Sequence, residues 1–287
     1  MSENLGAVLI TGASTGIGHT CALHLSHLGH RVFAGVRKQE DGAALAAHDP
    51  RVTPVLLDVV DPGSIEAAAR TVAEALGPAP LAGLVNNAGV SVGGPQEFLE
   101  LEDWRRVFDV NLFGVIAVTR AFLPLLRRAA GAARIVNMSS ISGRVPAPFI
   151  GPYAASKHAL EAVTAGLRLE LRPWGIHAAA IEPGAVVTPI WDKAEQQYAT
   201  SISRSPPEAV ERYGKAIETM VRRLVERGRQ HGVPPQRVAE AVAHALTSRR
   251  PKCRYLVGPD ARNGAFGQWL VSDKVFDRLL LKDLGLG

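Results

Sequence analysis

Tyr153 and Lys157 stand four apart within the stretch Gly151 to His158. If that stretch opens a helix, both side chains leave one face, a turn apart. A cation beside a phenol favours the phenolate and lowers the phenol pKa. The pair is then a general acid/base unit able to exchange a proton near neutral pH. Ser140 precedes Tyr153 by 13 residues (153 − 140). A loop of that length can return the chain so that hydroxyl and phenol face one substrate oxygen. His158 follows Lys157 directly, points to another face and reads as structural. Asn111 lies in an apolar helical stretch, where an amide is most simply a satisfied core group.

Such a unit needs elements to hold it, and the chain alternates apolar runs with helical periodicity. Strands are expected at Leu5 to Ile10, Arg31 to Val36, Val52 to Leu57, Leu81 to Val85, Ala133 to Met138, Ile176 to Ile181 and Tyr255 to Val257. A continuous helix is expected over Leu101 to Leu126, and a core helix over Val238 to Leu246. Alternation of this kind predicts an α/β fold, a single doubly wound parallel sheet of the Rossmann type.

The first strand runs into Thr11-Gly12-Ala13-Ser14-Thr15-Gly16-Ile17-Gly18 and then a helix. Glycines let the backbone turn tightly, and the helix N-terminus points free N–H groups at a phosphate. Gly12, Ser14, Thr15, Gly16, Ile17 and Gly18 are therefore candidate cofactor-binding residues. The second strand ends at Val36, where dinucleotide folds place an acid for the ribose 2′-hydroxyl. Valine cannot accept that bond. Arg37 and Lys38 follow, and a guanidinium suits a 2′-phosphate. The expected cofactor is NADP(H). Asp58, with Val59 after it, lies at the ligand-binding end of the third strand, although Asp58 also suits a turn before the Asp61-Pro62 helix start. Asn86-Asn87-Ala88-Gly89 ends the fourth strand as a small polar turn that suits close backbone approach and bracing.

Taken together, Thr11-Gly12-x-x-x-Gly16-x-Gly18, Asp58, Asn86-Asn87-Ala88-Gly89, Asn111, Ser140, Tyr153-x-x-x-Lys157 and Pro183-Gly184-x-Val186-x-Thr188 resemble the short-chain dehydrogenase/reductase family. The resemblance covers about residues 5 to 190. It implies a hydride passing between substrate carbon and nicotinamide, with Tyr153 carrying the proton. Lys157 is implied to lower the Tyr153 pKa and hold the nicotinamide ribose. Ser140 is implied to bind the substrate oxygen, and Asn111 to brace a water linking Lys157 to solvent. Pro183, Gly184, the Val186 main chain and Thr188 are implied to hold the carboxamide, and Asn87, Ala88 and Gly89 to line the cofactor site. Later signals resemble the retinol and 17β-hydroxysteroid dehydrogenase branch: Tyr213-Gly214, His244 to Ser248, and Arg254-Tyr255-x-x-Gly258-x-Asp260-Ala261. A lipophilic alcohol or ketone is the implied substrate. A 3-oxoacyl-thioester reductase and a silent NADP(H) sensor are the alternatives; an intact Ser140, Tyr153, Lys157 and Asn111 set opposes the sensor.

The 287 residues are read as one domain, 1–287, with a substrate lid over 190–232 and a helical tail over 259–287. Pro206-Pro207 opens the lid helix, expected from about Glu208 to Arg229. The tail, apolar from Trp269 to Leu281, could close the pocket, meet a partner subunit or lie on a membrane surface. An oligomer of identical chains is implied by the family alone. Hydrophobic and charged fractions of 47% and 21% are those of a chain with a sizeable core. The net charge of +5 comes with late arginines on amphipathic segments, which read as solvated helix faces and exclude a nucleic-acid stripe. The nine histidines show no metal-ligand spacing, so no metal is expected. Cys21 and Cys253 are far apart, which fits a reducing compartment, the cytoplasm. No N-terminal signal is expected, since the first strand begins almost at once, and no apolar run reaches the roughly 18 residues that span a bilayer.

Overall fold

A computed structural model describes residues 5–129, 131–188 and 206–287. Seven strands form one parallel sheet: β1 (Ala7–Thr11), β2 (Arg31–Val36), β3 (Val52–Leu56), β4 (Leu81–Asn86), β5 (Arg134–Met138), β6 (His177–Pro183) and β7 (Arg254–Val257). Their spatial order is β3-β2-β1-β4-β5-β6-β7. The chain winds outward from β1 to β3, then returns beside β1 with β4 and winds the other way. The crevice between β1 and β4, at their carboxyl ends, is the switch point where such sheets bind ligands.

Strand periodicity sorts the core into two layers. Val8, Ile10, Val32, Ala34, Val85 and Val136 face one side, against Cys21 and Leu25 of α1 (Gly16–His27), Leu45 of α2 (Gln39–His48) and Val238 and Val242 of α8 (Pro235–Thr247). Leu9, Phe33, Leu84 and Ile135 face the other, against Ile65 and Val72 of α3 (Pro62–Leu76) and Val118 and Phe122 of α5 (Gly114–Arg127). Both faces are buried, as a wholly parallel sheet requires.

The expected helix over Leu101 to Leu126 is not continuous. It begins as α4 (Leu101–Phe108), widens into a π turn over Asp109–Phe113 and resumes as α5. The widened turn swings Asn111 inward, and a Cβ at Gly114 would lie 2.9 Å from the Val59 carbonyl. Over Leu101–Arg127 this stretch is long and apolar enough to cross a membrane, contrary to the expectation that none is. Half of its most apolar window is buried inside the fold, where it packs against the sheet.

Beyond the sheet, α6 (Gly151–Glu170) carries Tyr153 and Lys157, and α7 (Pro207–His231) is the helix expected to form the lid. Residues 189–205 of the expected lid region lie outside the described residues. The tail is two helices, α9 (Pro259–Leu270) and α10 (Asp273–Leu284), separated at Val271 and Ser272.

Candidate active site

Thr11 at the end of β1 ties β1 to β4. Its hydroxyl accepts the N–H groups of Asn87 and Ala88, each at 3.0 Å. Asn87 returns its amide N–H to the Thr11 and Gly12 carbonyls at 3.1 and 3.0 Å. That amide is therefore a brace across the crevice. Gly12 and Gly16 hold φ of +65° and +60°, which favour glycine. Gly18 answers a different need: a Cβ there would sit 2.3 Å from the Gly12 carbonyl and 2.4 Å from the Asn87 amide. Gly18 closes the packing of α1 on the turn.

Thr15 is the N-cap of α1 and makes no side-chain cap bond. The first N–H groups of the 12-residue helix thus point toward the crevice without a side-chain acceptor. This fits a pyrophosphate beside Ser14, Thr15, Gly16 and Ile17. Arg37 and Lys38, at the end of β2, are exposed and have no ion-pair partner among the described residues. Asp58 does form the turn its position suggested: its carboxylate accepts the Val60 N–H at 3.1 Å, and Asp61 caps α3 through Gly63 at 2.9 Å. The Val59 side chain packs into the core, which leaves its main chain for a ligand.

On the other side of the crevice, a Cβ at Gly16 would lie 3.8 Å from Thr188. This brings Thr188, at the end of the Pro183 to Thr188 segment, beside the glycine turn. Val186 bridges Val233 through its neighbours, since Val233 N–H binds the Ala185 carbonyl and Val187 N–H binds the Val233 carbonyl, each at 2.9 Å. The main chain of Val186 itself faces away from Val233. Asp260 fixes this segment by accepting the Ala185 N–H at 2.6 Å. A Cβ at Gly184 would fall 2.1 Å from that carboxylate. Asp260 was legible as part of Gly258-x-Asp260, but its task was not.

Tyr153, Lys157, Ser140 and Asn111 converge at the ends of β4 and β5. Lys157 is 4% exposed, and its Nζ donates to the Met138 carbonyl at 2.7 Å. Asn111 is wholly buried. Its Oδ1 accepts the Val90 N–H at 2.8 Å, and its Nδ2 donates to the Val90 carbonyl at 2.9 Å and to Ser156 Oγ at 3.0 Å. Ser156 in turn donates to the Tyr153 carbonyl at 2.7 Å. A Cβ at Gly89 would lie 3.4 Å from Asn111 Oδ1 and 3.8 Å from Lys157 Nζ, so these two atoms flank one small space. Ser140 caps the short turn Ile141–Gly143, its Oγ accepting the Ser142 N–H at 3.1 Å. The His158 ring lies against the Ala154 and Arg144 carbonyls at 2.9 and 3.1 Å, a structural placement as expected.

The electrostatics correct one expectation. Burial pushes the Tyr153 phenol above its ordinary value, and a hydrogen bond from Ser140 pulls it back only in part. The Lys157 ammonium does not lower it here, because that ammonium is held on the Met138 carbonyl, 5.7 Å from the Tyr153 ring centroid. Lys157 itself falls to about 8 through burial, opposed by the Glu161 carboxylate. Both shifts favour the neutral forms, phenol and amine, and move the two groups apart in pKa.

A cleft at the loop before α6 is lined by Pro95, Gln96, Glu97, Pro148, Phe149 and Tyr213, with a volume of about 270 Å³. Tyr213 on α7 meets the rings of Phe98 and Phe149 edge-on at 6.2 and 6.0 Å and donates to Glu97 at 2.6 Å. Helix α7 thus reaches the loop that leads into α6. A larger hollow, about 390 Å³, runs along α7 from Glu218 to Gln230 and is lined by that helix alone. It holds none of the acid/base groups. Among the described residues no cluster of His, Cys, Asp or Glu could hold a metal ion.

Residues 6–199 match the family model described as short chain dehydrogenase. The chain is 38% identical over 260 residues to Dehydrogenase/reductase SDR family member 9 of Bos taurus, covering 89% of this chain and 81% of the relative. It is 37% identical over 263 residues to Retinol dehydrogenase 5 of Mus musculus, with the same shares covered. It is 32% identical over 280 residues to the NADPH-dependent 3-dehydrocapnine reductase of Ornithobacterium rhinotracheale, covering 96% of each. Among solved structures, a short-chain dehydrogenase from Streptomyces avermitilis superposes with a TM-score of 0.78 at 30% identity, covering 99% of this chain and 97% of that one. One from Burkholderia cenocepacia in complex with NADP gives 0.72 at 28% identity, covering 96% and 97%.

Proposed function

The chain belongs to the short-chain dehydrogenase/reductase family, in its retinol and hydroxysteroid branch, and on that footing we propose that it interconverts a secondary alcohol and a ketone with NADP(H), on a lipophilic substrate. The observation that carries the reading is the convergence of Ser140, the Tyr153 phenol and the buried Lys157 ammonium at the ends of β4 and β5, next to the switch point of the sheet. When bound, the cofactor supplies or accepts the hydride. Every other part of the step falls to the protein. Ser140 holds the substrate oxygen by a hydrogen bond. Tyr153 gives that oxygen a proton during reduction and takes it during oxidation. Lys157 would hold the nicotinamide ribose when the cofactor is bound. Asn111 and Ser156 hold the first turns of α6 against β4, which keeps phenol and ammonium in register.

Four features support the finer reading. Exposed Arg37 and Lys38 suit a 2′-phosphate, and two of the similar proteins are named with NADP or NADPH. The rings of Phe98, Phe149 and Tyr213 give the cleft an apolar wall. Phe113 and Leu169 are 56% and 68% exposed, which suits a homo-oligomer built on the helices near the site. Phe266 and Trp269 in the tail are exposed as well and suit a membrane surface or a partner.

The test is an assay of steroids, retinoids, small ketones and a 3-oxoacyl thioester with NADPH and with NADH. Turnover of the lipophilic compounds with NADPH is the expected result. Turnover of short polar substrates or the thioester alone would remove the lipophilic reading. Arg37→Asp should weaken NADPH binding by about 1–3 kcal/mol, the range for charge-assisted bonds. Equal binding of NADH and NADPH to the unmodified protein would remove the cofactor preference.

A further inference from the structure

One buried acid next to the site has no part in the step just described. Tyr153, Lys157 and Glu161 recur at every fourth position of α6 and so share one face. Glu161 is 7% exposed. One of its oxygens accepts Arg254 Nε at 2.9 Å, while Oε1 is buried with no hydrogen-bond partner among the described residues. A buried carboxylate left half-satisfied is costly unless it serves a nearby charge. The nearby charge is Lys157, whose one hydrogen bond is to a neutral carbonyl, and Glu161 favours its charged form.

We propose that Glu161 is a positioning residue for the Tyr153–Lys157 pair: its carboxylate, one turn behind on the same helix face, holds the Lys157 side chain in its cationic form, and Arg254 sets how strongly it does so. The inference rests on the acid/base reading of Tyr153 and Lys157.

The surrounding charges define the circuit. Arg254 reaches in from β7, next to Cys253, and also lies 3.4 Å from Glu182 on β6. Glu182 is fully buried and takes Arg144 Nε at 2.5 Å from the loop after Ser140. On α6 the neighbouring titratable groups are Tyr153, Lys157 and His158. The charges of α4 pair with one another, Arg105 with Glu102 and Arg106 with Asp103, while Asp109 and Arg172 are exposed. Two acids and two arginines thus cancel, and the one charge near Glu161 left to balance is the ammonium. The fit to a tunable field is that Arg254 is 42% exposed on its side chain whereas both acids are shielded.

A purely structural role, pinning β7 to α6, predicts something different, and the two separate by sign. The measurement is a pH titration of the Lys157 side-chain NMR signal in protein carrying carbon-13-labelled lysine, assigned by its loss in Lys157→Arg. Glu161→Gln should lower the midpoint by about one pH unit, the low end for an opposite charge close by. Arg254→Gln should raise it, since the acid is then less neutralised. Glu161→Asp, which keeps the charge, should restore much of the unmodified value. The alkaline limb of kcat/KM should move in the same directions. Midpoints that stay put, or move the same way in both variants, would overturn the proposal whatever happens to Tm. The titration needs no turnover, so failure of the oxidoreductase reading would show in the assays and leave this result to stand or fall alone.

Discussion

Asn111 makes all three of its hydrogen bonds under the surface, whereas Arg227 of the lid helix meets Asp283 of the tail at side-chain exposures of 40% and 50%. The difference runs through both regions. Around Tyr153 and Lys157, nearly every contact is to a backbone group or a buried hydroxyl: Met138, Val90, Ser156, Thr11. Where α7 meets the tail, the contacts are long charged side chains on one another or on helix ends. Arg223 donates to the Asp283 carbonyl at 2.9 Å at the C-terminus of α10, and Arg227 grips the Asp283 carboxylate at 2.6 and 2.7 Å. Buried bonds of the first kind are expensive to break. Exposed pairs of the second kind contribute only about 0–1 kcal/mol each. The groups around Tyr153 and Lys157 are thus held by bonds that cost more to break than those joining α7 to the tail.

Tyr153→Phe probes the fixed region most severely. Turnover should fall by about 10²- to 10⁴-fold, the usual worth of general acid/base catalysis. NADPH binding, followed by cofactor fluorescence, should persist. If turnover survived, the acid/base site would lose its distinction from the lid.

Asn111→Ala comes next. It leaves the Val90 N–H and carbonyl without their partner, and urea denaturation should show a loss of about 1–3 kcal/mol. A loss no larger than that of a lid mutation would erase the contrast.

Lys157→Met sharpens the comparison through pH. The folded value of about 8 lies below the ordinary 10.5. Between those values the unfolded chain holds a proton that the folded chain has released, so the unmodified protein gains stability as pH rises. The gain should approach about 1.4 kcal/mol per pH unit at most, the linkage slope of one proton. Lys157→Met should show no such rise when chemical denaturation is compared at pH 8 and pH 10. Equal slopes for the two proteins would mean that burial does not perturb Lys157.

The mildest change is expected from Asp283→Asn. It breaks the tail's grip on the lid and should cost less than about 1 kcal/mol of global stability. Limited proteolysis should nonetheless cut the tail sooner. A Tm drop as large as that of Asn111→Ala would show the tail to be part of the core.

Much of this was legible because parallel strands buried on both faces are continuous apolar runs. Each strand was placed within two residues of its observed ends; β1, for example, spans Ala7–Thr11 where Leu5 to Ile10 was expected. The π turn at Asn111 was not legible. Its Asn111 bonds Val90 and its flanking Gly114 lies against Val59, and nothing in the local periodicity of Leu101 to Leu126 records these contacts. The tail's division into α9 and α10 was hidden for a similar reason: Val271 and Ser272 carry neither Pro nor Gly.

By itself, then, the sequence determined the order of the elements, the glycine turn at the end of β1, and the helical spacing that puts Tyr153 and Lys157 on one face. Those are local properties, set by side-chain period and backbone freedom. The tertiary structure alone decided the direction of the Tyr153 and Lys157 shifts, the bracing role of Asn87, the hold of Asp260 on Gly184 and Ala185, and the placing of Glu161 between Lys157 and Arg254. Each of those depends on burial and on partners far apart in the chain, such as Arg254 and Glu161, which are 93 residues apart. A dielectric environment and a long-range contact exist only once the chain has closed around them.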